Sequence, residues 1–195
     1  KNSEPLSAGE VIVTLEPLFP VSAVSKQQKT YEIAMVDKKY TPGVITIKPG
    51  DTVKFNNKDS IKHNVFSSSG NNAFELGTYG FGVAEGATLK YPGIVKVYCN
   101  IHAGMAAFVS VSESGYSFIT KDNGQFVFNE LPVGAYRVKV WHVRGEAEKS
   151  VQVIANQSAL GDIVINSAAY VPETHMNKYG KPYKKIPTLF KDEFY

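Results

Sequence analysis

The sequence holds a single cysteine and a single tryptophan in 195 residues, with three methionines and four histidines. One cysteine permits no internal disulfide, so Cys99 does not staple the fold. It also excludes a dinuclear copper centre bridged by two thiolates, and it leaves a closed zinc site short of its usual sulfur ligands. No apolar run reaches the roughly 18 residues that a membrane-crossing helix needs. Net charge is only +3, too mild and too scattered to form a nucleic-acid surface. Helical periodicity is missing too, since no amphipathic stripe extends beyond two turns. The opening "KNSEPLSAGE" lacks a charged start followed by an apolar stretch, so a signal peptide is expected to be absent or already removed.

What is present is β structure. Period-two alternation with β-branched and aromatic enrichment recurs in "TYEIAMVD", "VITIKPGDTVKFNN", "GIVKVYCN", "AAFVSVS", "GQFVFNEL" and "AYRVKVWH". Turn clusters such as "KPGD", "YPG", "KDNG" and "LPVG" separate these runs. Short strands at this spacing predict sandwiches or barrels. Asp122-Asn123-Gly124 predicts a hairpin between "SFITK" and "QFVF", because Asn and Gly tolerate the positive φ of a tight turn.

The chain length suits one large or two small domains. Residues 28–112 carry His63, Cys99, His102 and Met105, whereas 113–166 carry no comparable cluster and read as a small hairpin-built sandwich. Only Glu113, Ser114 and Gly115 separate the two modules, so they are expected to abut. Residues 1–27 contribute a strand-like run, "GEVIVTL", that can pair with either module or with a neighbouring chain. Residues 167–195, with three prolines, four tyrosines, five lysines and no periodicity, read as an irregular, solvated C-terminal tail. The sharper alternative is that these aromatics dock on another surface. Trp141-His142 fits an interface or core pair, and His175 is assigned no role.

The segment "YCNIHAGM" gathers a thiol, an imidazole and a thioether in one turn. Soft sulfur combined with imidazole selects copper, and two His with one Cys thiolate and a weak axial Met make the blue-copper electron-transfer arrangement. Cys99, His102 and Met105 supply three of those ligands. The fourth must come from a distant histidine: His63, His142 or His175. His63, in "DSIKHNVFS" just after a strand, fits best by context. In "GIVKVYC", Val95, Val97 and Cys99 share one face, which turns the thiol into the core at the strand's end. A nucleophilic Cys99 assisted by His102 lacks an orienting acid and an oxyanion arrangement, so no enzymatic activity is expected.

"HN" after a strand, then "YC-x-x-H-x-x-M" and a final strand "AAFVSV", resembles the cupredoxin family, with a loop of the amicyanin and plastocyanin type. The run from Tyr40 to Asp59 extends this resemblance across residues 31–112. The resemblance implies a cupredoxin Greek-key β-sandwich holding one copper ion, Cu(I) or Cu(II), on His63, Cys99, His102 and Met105. It implies that Asn64 ties the two ligand loops together and tunes the thiolate, and that the His102 ring edge is the electron port, within an apolar patch of Ala103, Gly104, Ala106 and Pro42. Asn100 and Ile101 depart from the residues common in that loop.

"CNIH..M" together with "YSFITKDNGQFVFNELPVGAYRVKVWH" resembles exported bacterial methylamine-utilisation-like proteins, in which a cupredoxin is fused to a transthyretin-like or carboxypeptidase-regulatory-like sandwich. There an N-terminal strand precedes the cupredoxin, so "GEVIVTL" is expected to complete the second sandwich. The overall expectation is an all-β protein, periplasmic or extracellular, that carries single electrons to a redox partner such as a cytochrome or an oxidoreductase. Two alternatives are copper storage or delivery, and a structural subunit of a cell-surface assembly. The latter would form a homo-oligomer by strand addition through the N-terminal strand or through the tail.

Overall fold

Along the strand Gly93–Cys99, Val95, Val97 and Cys99 are buried while Lys96 is exposed, so alternation sets which face meets the core. The same rule operates across a computed structural model that describes residues 10–21, 27–121, 123–155, 160–168, 170 and 175–183. Among the described residues thirteen strands follow in chain order: β1 (Ile12–Pro17), β2 (Thr30–Val36), β3 (Lys39–Thr41), β4 (Val44–Ile47), β5 (Thr52–Asn57), β6 (His63–Ser67), β7 (Phe74–Tyr79), β8 (Ala84–Thr88), β9 (Gly93–Cys99), β10 (Ala106–Val111), β11 (Tyr116–Ile119), β12 (Gly134–His142) and β13 (Gly145–Val153). The described residues contain no α-helix, only one 3-10 turn at Gly70–Asn72.

Strands β2 to β10 form two facing sheets, ordered β4-β10-β9-β6-β7 and β3-β2-β5-β8. Ile33, Met35, Val53 and Phe55 from one sheet meet Val65, Val95, Val97, Cys99 and Val109 from the other in a single core. Truncating one of the larger of these side chains to Ala would cost about 3–5 kcal/mol through lost transfer energy and the cavity left behind. The Tyr79 hydroxyl donates to the Phe55 carbonyl at 2.9 Å and so ties the two sheets together. Antiparallel pairing of β6 with β9 places Val65 opposite Cys99. This register brings the first residues of β6 beside the last residue of β9 and builds the site. A register shift between Asn64 and Phe66 interrupts the pairing of β6 with β7 at the same place.

The second unit is one four-stranded antiparallel sheet, ordered β11-β1-β12-β13. The N-terminal β1 is an interior strand, pairing Ile12 with Ile119 on one side and with Trp141 on the other. Val13, Leu15, Tyr136, Val138 and Val140 are buried on one face, where Phe19, Phe126, Phe128, Ile163 and Ile165 pack against them. Phe19 lies so close over Gly134 that a Cβ there would come within 2.3 Å of its ring. The opposite face carries Trp141, whose ring sits 5.1 Å from Phe108 of β10 and joins the two units.

Two local expectations change. The turn before "QFVF" closes through the Gly124 N–H donating to the Lys121 carbonyl at 2.8 Å, with Gly124 at φ 68; Asp122 lies outside the described residues. No hairpin ladder follows. Residues 125–133 form no strand; "QFVF" packs by its rings instead, Phe128 against Phe118 at 6.1 Å. Its alternation survives as burial alone: Phe126 and Phe128 face the core while Val127 is exposed. The tail likewise is not wholly solvated, since residues 175–183 pack against β9 and the loop after it, as the contacts of His175 and Tyr183 show.

Candidate metal centre

Three donors from two segments converge at one end of the sandwich. His63 opens β6 and is fully buried, as is Cys99 at the end of β9; His102 lies in the following loop and is half-buried. The Cys99 Sγ lies 3.7 Å from His63 Nδ1 and 3.6 Å from His102 Nδ1, and the two nitrogens are 3.2 Å apart. The point equidistant from these three atoms is about 2 Å from each, within the bonding range of metal–nitrogen and metal–thiolate contacts. Three acceptors packed at this spacing, two of them fully buried, repel one another unless a cation or protons lie between them, so the donor set fits a metal ion. One thiolate with two imidazoles selects copper over hard cations, and the cluster can hold one copper ion.

The surroundings act on the thiol in opposite directions. Burial pushes the Cys99 thiol up, but hydrogen bonds from the His63 ring and from the backbone N–H groups of Asn64, Ile101 and His102 outweigh it and hold the thiol below its ordinary value. Burial also pulls His63 down, yet its bonds to Cys99 and Asp59 raise it overall. His102 falls below its ordinary value through burial and then through the charges of His63 and Lys38.

Asp59 is the group that the sequence reading missed. Its Oδ2 lies 2.8 Å from His63 Nε2, which leaves Nδ1 free to face Cys99 and His102. Its carboxylate also accepts from the backbone N–H groups of Asp37 and Lys38, at 2.6 and 3.0 Å, in a turn where both residues adopt positive φ. Asn57 sets that loop, its Oδ1 accepting from the Asp59 N–H at 2.9 Å and its Nδ2 donating to Ile61 and Tyr79 carbonyls. A carboxylate behind the distal nitrogen of a ligand histidine fixes both the tautomer and the ring plane. The available signal was an acidic side chain four residues before His63.

Asn64 links the ligand segments through its backbone. Its carbonyl accepts from the Asn100 N–H at 2.8 Å, while its side-chain amide donates to Thr78 and Glu75 on β7. Its Oδ1 is buried without a partner. Met105 is buried in the same core cluster as Cys99 at the close of the loop, where its N–H donates to the His102 carbonyl at 3.1 Å and its carbonyl accepts from the Cys99 N–H at 3.3 Å. Ala103, Gly104 and Pro42 are exposed beside half-buried Ala106, and Ile101 is 46% exposed. His142 lies on β12 outside this cluster, and His175 stacks on Tyr98 next to it.

No family model matches the chain, and no curated protein matches it. Solved structures similar to part of it include a purple cupredoxin from Nitrosopumilus maritimus, at 26% identity and a TM-score of 0.38, covering 42% of this chain and 99% of that one. Amicyanin from Paracoccus versutus aligns at 25% identity and a TM-score of 0.40, covering 51% and 98%. A copper-containing nitrite reductase from Thermus scotoductus aligns at 24% identity and a TM-score of 0.40, covering 50% of this chain and 25% of the reductase.

Proposed function

We propose that this protein is a mononuclear copper protein that passes single electrons between redox proteins outside the cytoplasm. The observation that carries this reading is the Cys99–His63–His102 triangle, with sides of 3.2 to 3.7 Å, in which His63 and Cys99 are fully buried and His102 is half-buried. When bound, copper supplies reversible one-electron chemistry between Cu(II) and Cu(I).

The chain's own residues contribute rigidity and electrostatics. Asp59 holds the His63 ring, and hydrogen bonds from that ring and from three backbone N–H groups hold the Cys99 thiol below its ordinary value. A site built in advance changes little between oxidation states, which keeps reorganisation small. Met105, buried in the same core cluster as Cys99, would be the fourth ligand. Its thioether is a weak soft donor that would set the potential rather than the affinity. His102, half-buried among Ile101, Ala103 and Gly104, is the proposed electron port toward a cytochrome or an oxidoreductase. Full burial of His63 and Cys99 disfavours rapid exchange of an ion with a delivery partner.

Titration of the metal-free protein with Cu(II), followed by visible absorption, EPR and voltammetry, tests this reading. One equivalent should produce an intense thiolate-to-copper band and a reversible one-electron wave. A colourless copper-loaded protein refutes thiolate ligation, and a coloured protein without a reversible wave refutes electron carriage.

A further inference from the structure

The loop between Cys99 and Met105 has little stiffness of its own. It contains exposed Ala103 and Gly104 and no proline, and Gly104 carries no side chain to pack. Residues 175–183 grip its start at three consecutive positions. The His175 ring stacks on Tyr98 with centroids 4.0 Å apart and planes 15° from parallel. The Tyr183 hydroxyl donates to the Cys99 carbonyl at 2.6 Å. The Lys178 N–H donates to Asn100 Oδ1 at 2.9 Å.

These contacts form one network. With its proton on the Cys99 carbonyl, the Tyr183 oxygen accepts from His175 Nδ1 at 3.2 Å, so the stacked ring and the phenol hold each other. The Lys178 ammonium pairs with Glu75 on β7, which also accepts from the Asn64 amide beside His63. The segment therefore touches β9 directly and is linked to β6 through Glu75. Its shape is set internally by Asn177, whose Oδ1 accepts from the Tyr179 and Lys181 N–H groups and whose N–H donates to the Lys181 carbonyl at 2.8 Å.

We propose that residues 175–183 are a strap that immobilises the metal loop, with Tyr183 as a positioning residue for Cys99. A donor on the Cys99 carbonyl fixes the peptide plane that follows it, and with it the path on which the loop leaves Cys99 toward His102. The stack on Tyr98 seals that side against water. The proposal rests on the reading of Cys99 as the metal's thiolate ligand, but the restraint belongs to the polypeptide and is present without metal.

The test uses the metal-free 195-residue chain, in which Cys99 is the single thiol. Its alkylation by iodoacetamide and the amide hydrogen exchange of residues 100–104 are measured for wild type, Tyr183→Phe, His175→Ala and His175→Phe, with the β9 amides as internal reference. Tyr183→Phe and His175→Ala should each speed alkylation and loop exchange about 2- to 10-fold, the population change governed by one hydrogen bond or ring contact. His175→Phe, which keeps the stack, should fall nearer to wild type than His175→Ala. A His175→Ala/Tyr183→Phe double variant with wild-type alkylation and wild-type loop exchange overturns the strap. Wild-type protein that develops no thiolate–copper colour overturns the metal reading instead, a result independent of these metal-free rates.

Discussion

The carboxylate of Asp59 and the distal nitrogen of His63 lie 2.8 Å apart, and this contact leaves the other ring nitrogen facing Cys99 and His102. The ring is thereby oriented before a metal arrives. Asp59→Ala should weaken copper affinity about 10- to 100-fold, the usual effect of removing a carboxylate behind a ligand histidine. Asp59→Asn, which keeps an acceptor oxygen, should lose less. Competition against a chelator of known affinity measures both, and equal affinities for wild type and Asp59→Ala would refute the orienting role.

The same contact gives the metal-free protein a pH dependence. Burial pulls the His63 pKa down, but Cys99 and Asp59 raise it overall. A folded pKa above the unfolded value of about 6.5 contributes stability that is fully present below that value and lost as pH rises through the folded one. Thermal melts of metal-free protein should therefore show this contribution fading above about pH 6.5. The fading should be smaller in Asp59→Asn.

Cys99→Ser should abolish the intense visible band of the copper-loaded protein, because a hydroxyl is not ionised there and supplies no thiolate charge transfer. An absorption spectrum at one equivalent of Cu(II) decides it. A band of wild-type strength would place the chromophore elsewhere.

Met105→Leu keeps a buried apolar side chain of similar volume, so the fold should persist at a cost below about 1.5 kcal/mol. Copper should still bind, and if Met105 is a ligand the potential should rise with the loss of its weak thioether donor. Voltammetry reads the shift, and an unchanged potential would exclude axial coordination.

Phe108 of β10 and Trp141 of β12 join the two units through rings 5.1 Å apart. Phe108→Ala should lower stability by about 0.5–1.5 kcal/mol beyond the loss of apolar area. Since Trp141 is the single tryptophan, its emission should also shift to the red as water reaches the indole. Emission unchanged from wild type would show that Phe108 does not shield the ring.

Chemistry and facing were written along the chain. The alternation Val95, Val97, Cys99 turns the thiol inward whatever surrounds it, because successive side chains on a strand point to opposite faces. The short spacing from Cys99 to His102 likewise keeps a sulfur and an imidazole on one loop, and their donor atoms lie 3.6 Å apart. Context sufficed to favour His63, which begins a strand at the same end. Alternation also misled: "QFVF" has a strand's pattern, but its alternation serves burial alone, with Phe126 and Phe128 packed on the core and residues 125–133 in no strand. Asp59 was one acidic side chain among eighteen, and nothing local distinguishes the one whose loop bends back to a histidine. The Tyr183 contact with Cys99 joins residues 84 positions apart, and that of Lys178 with Asn100 joins residues 78 apart. Periodicity and donor type are properties of neighbouring residues and can be read in order. Which carboxylate backs His63, which strand sits beside β11 and which segment covers the loop depend on where distant parts of the chain come to rest, and packing alone sets that.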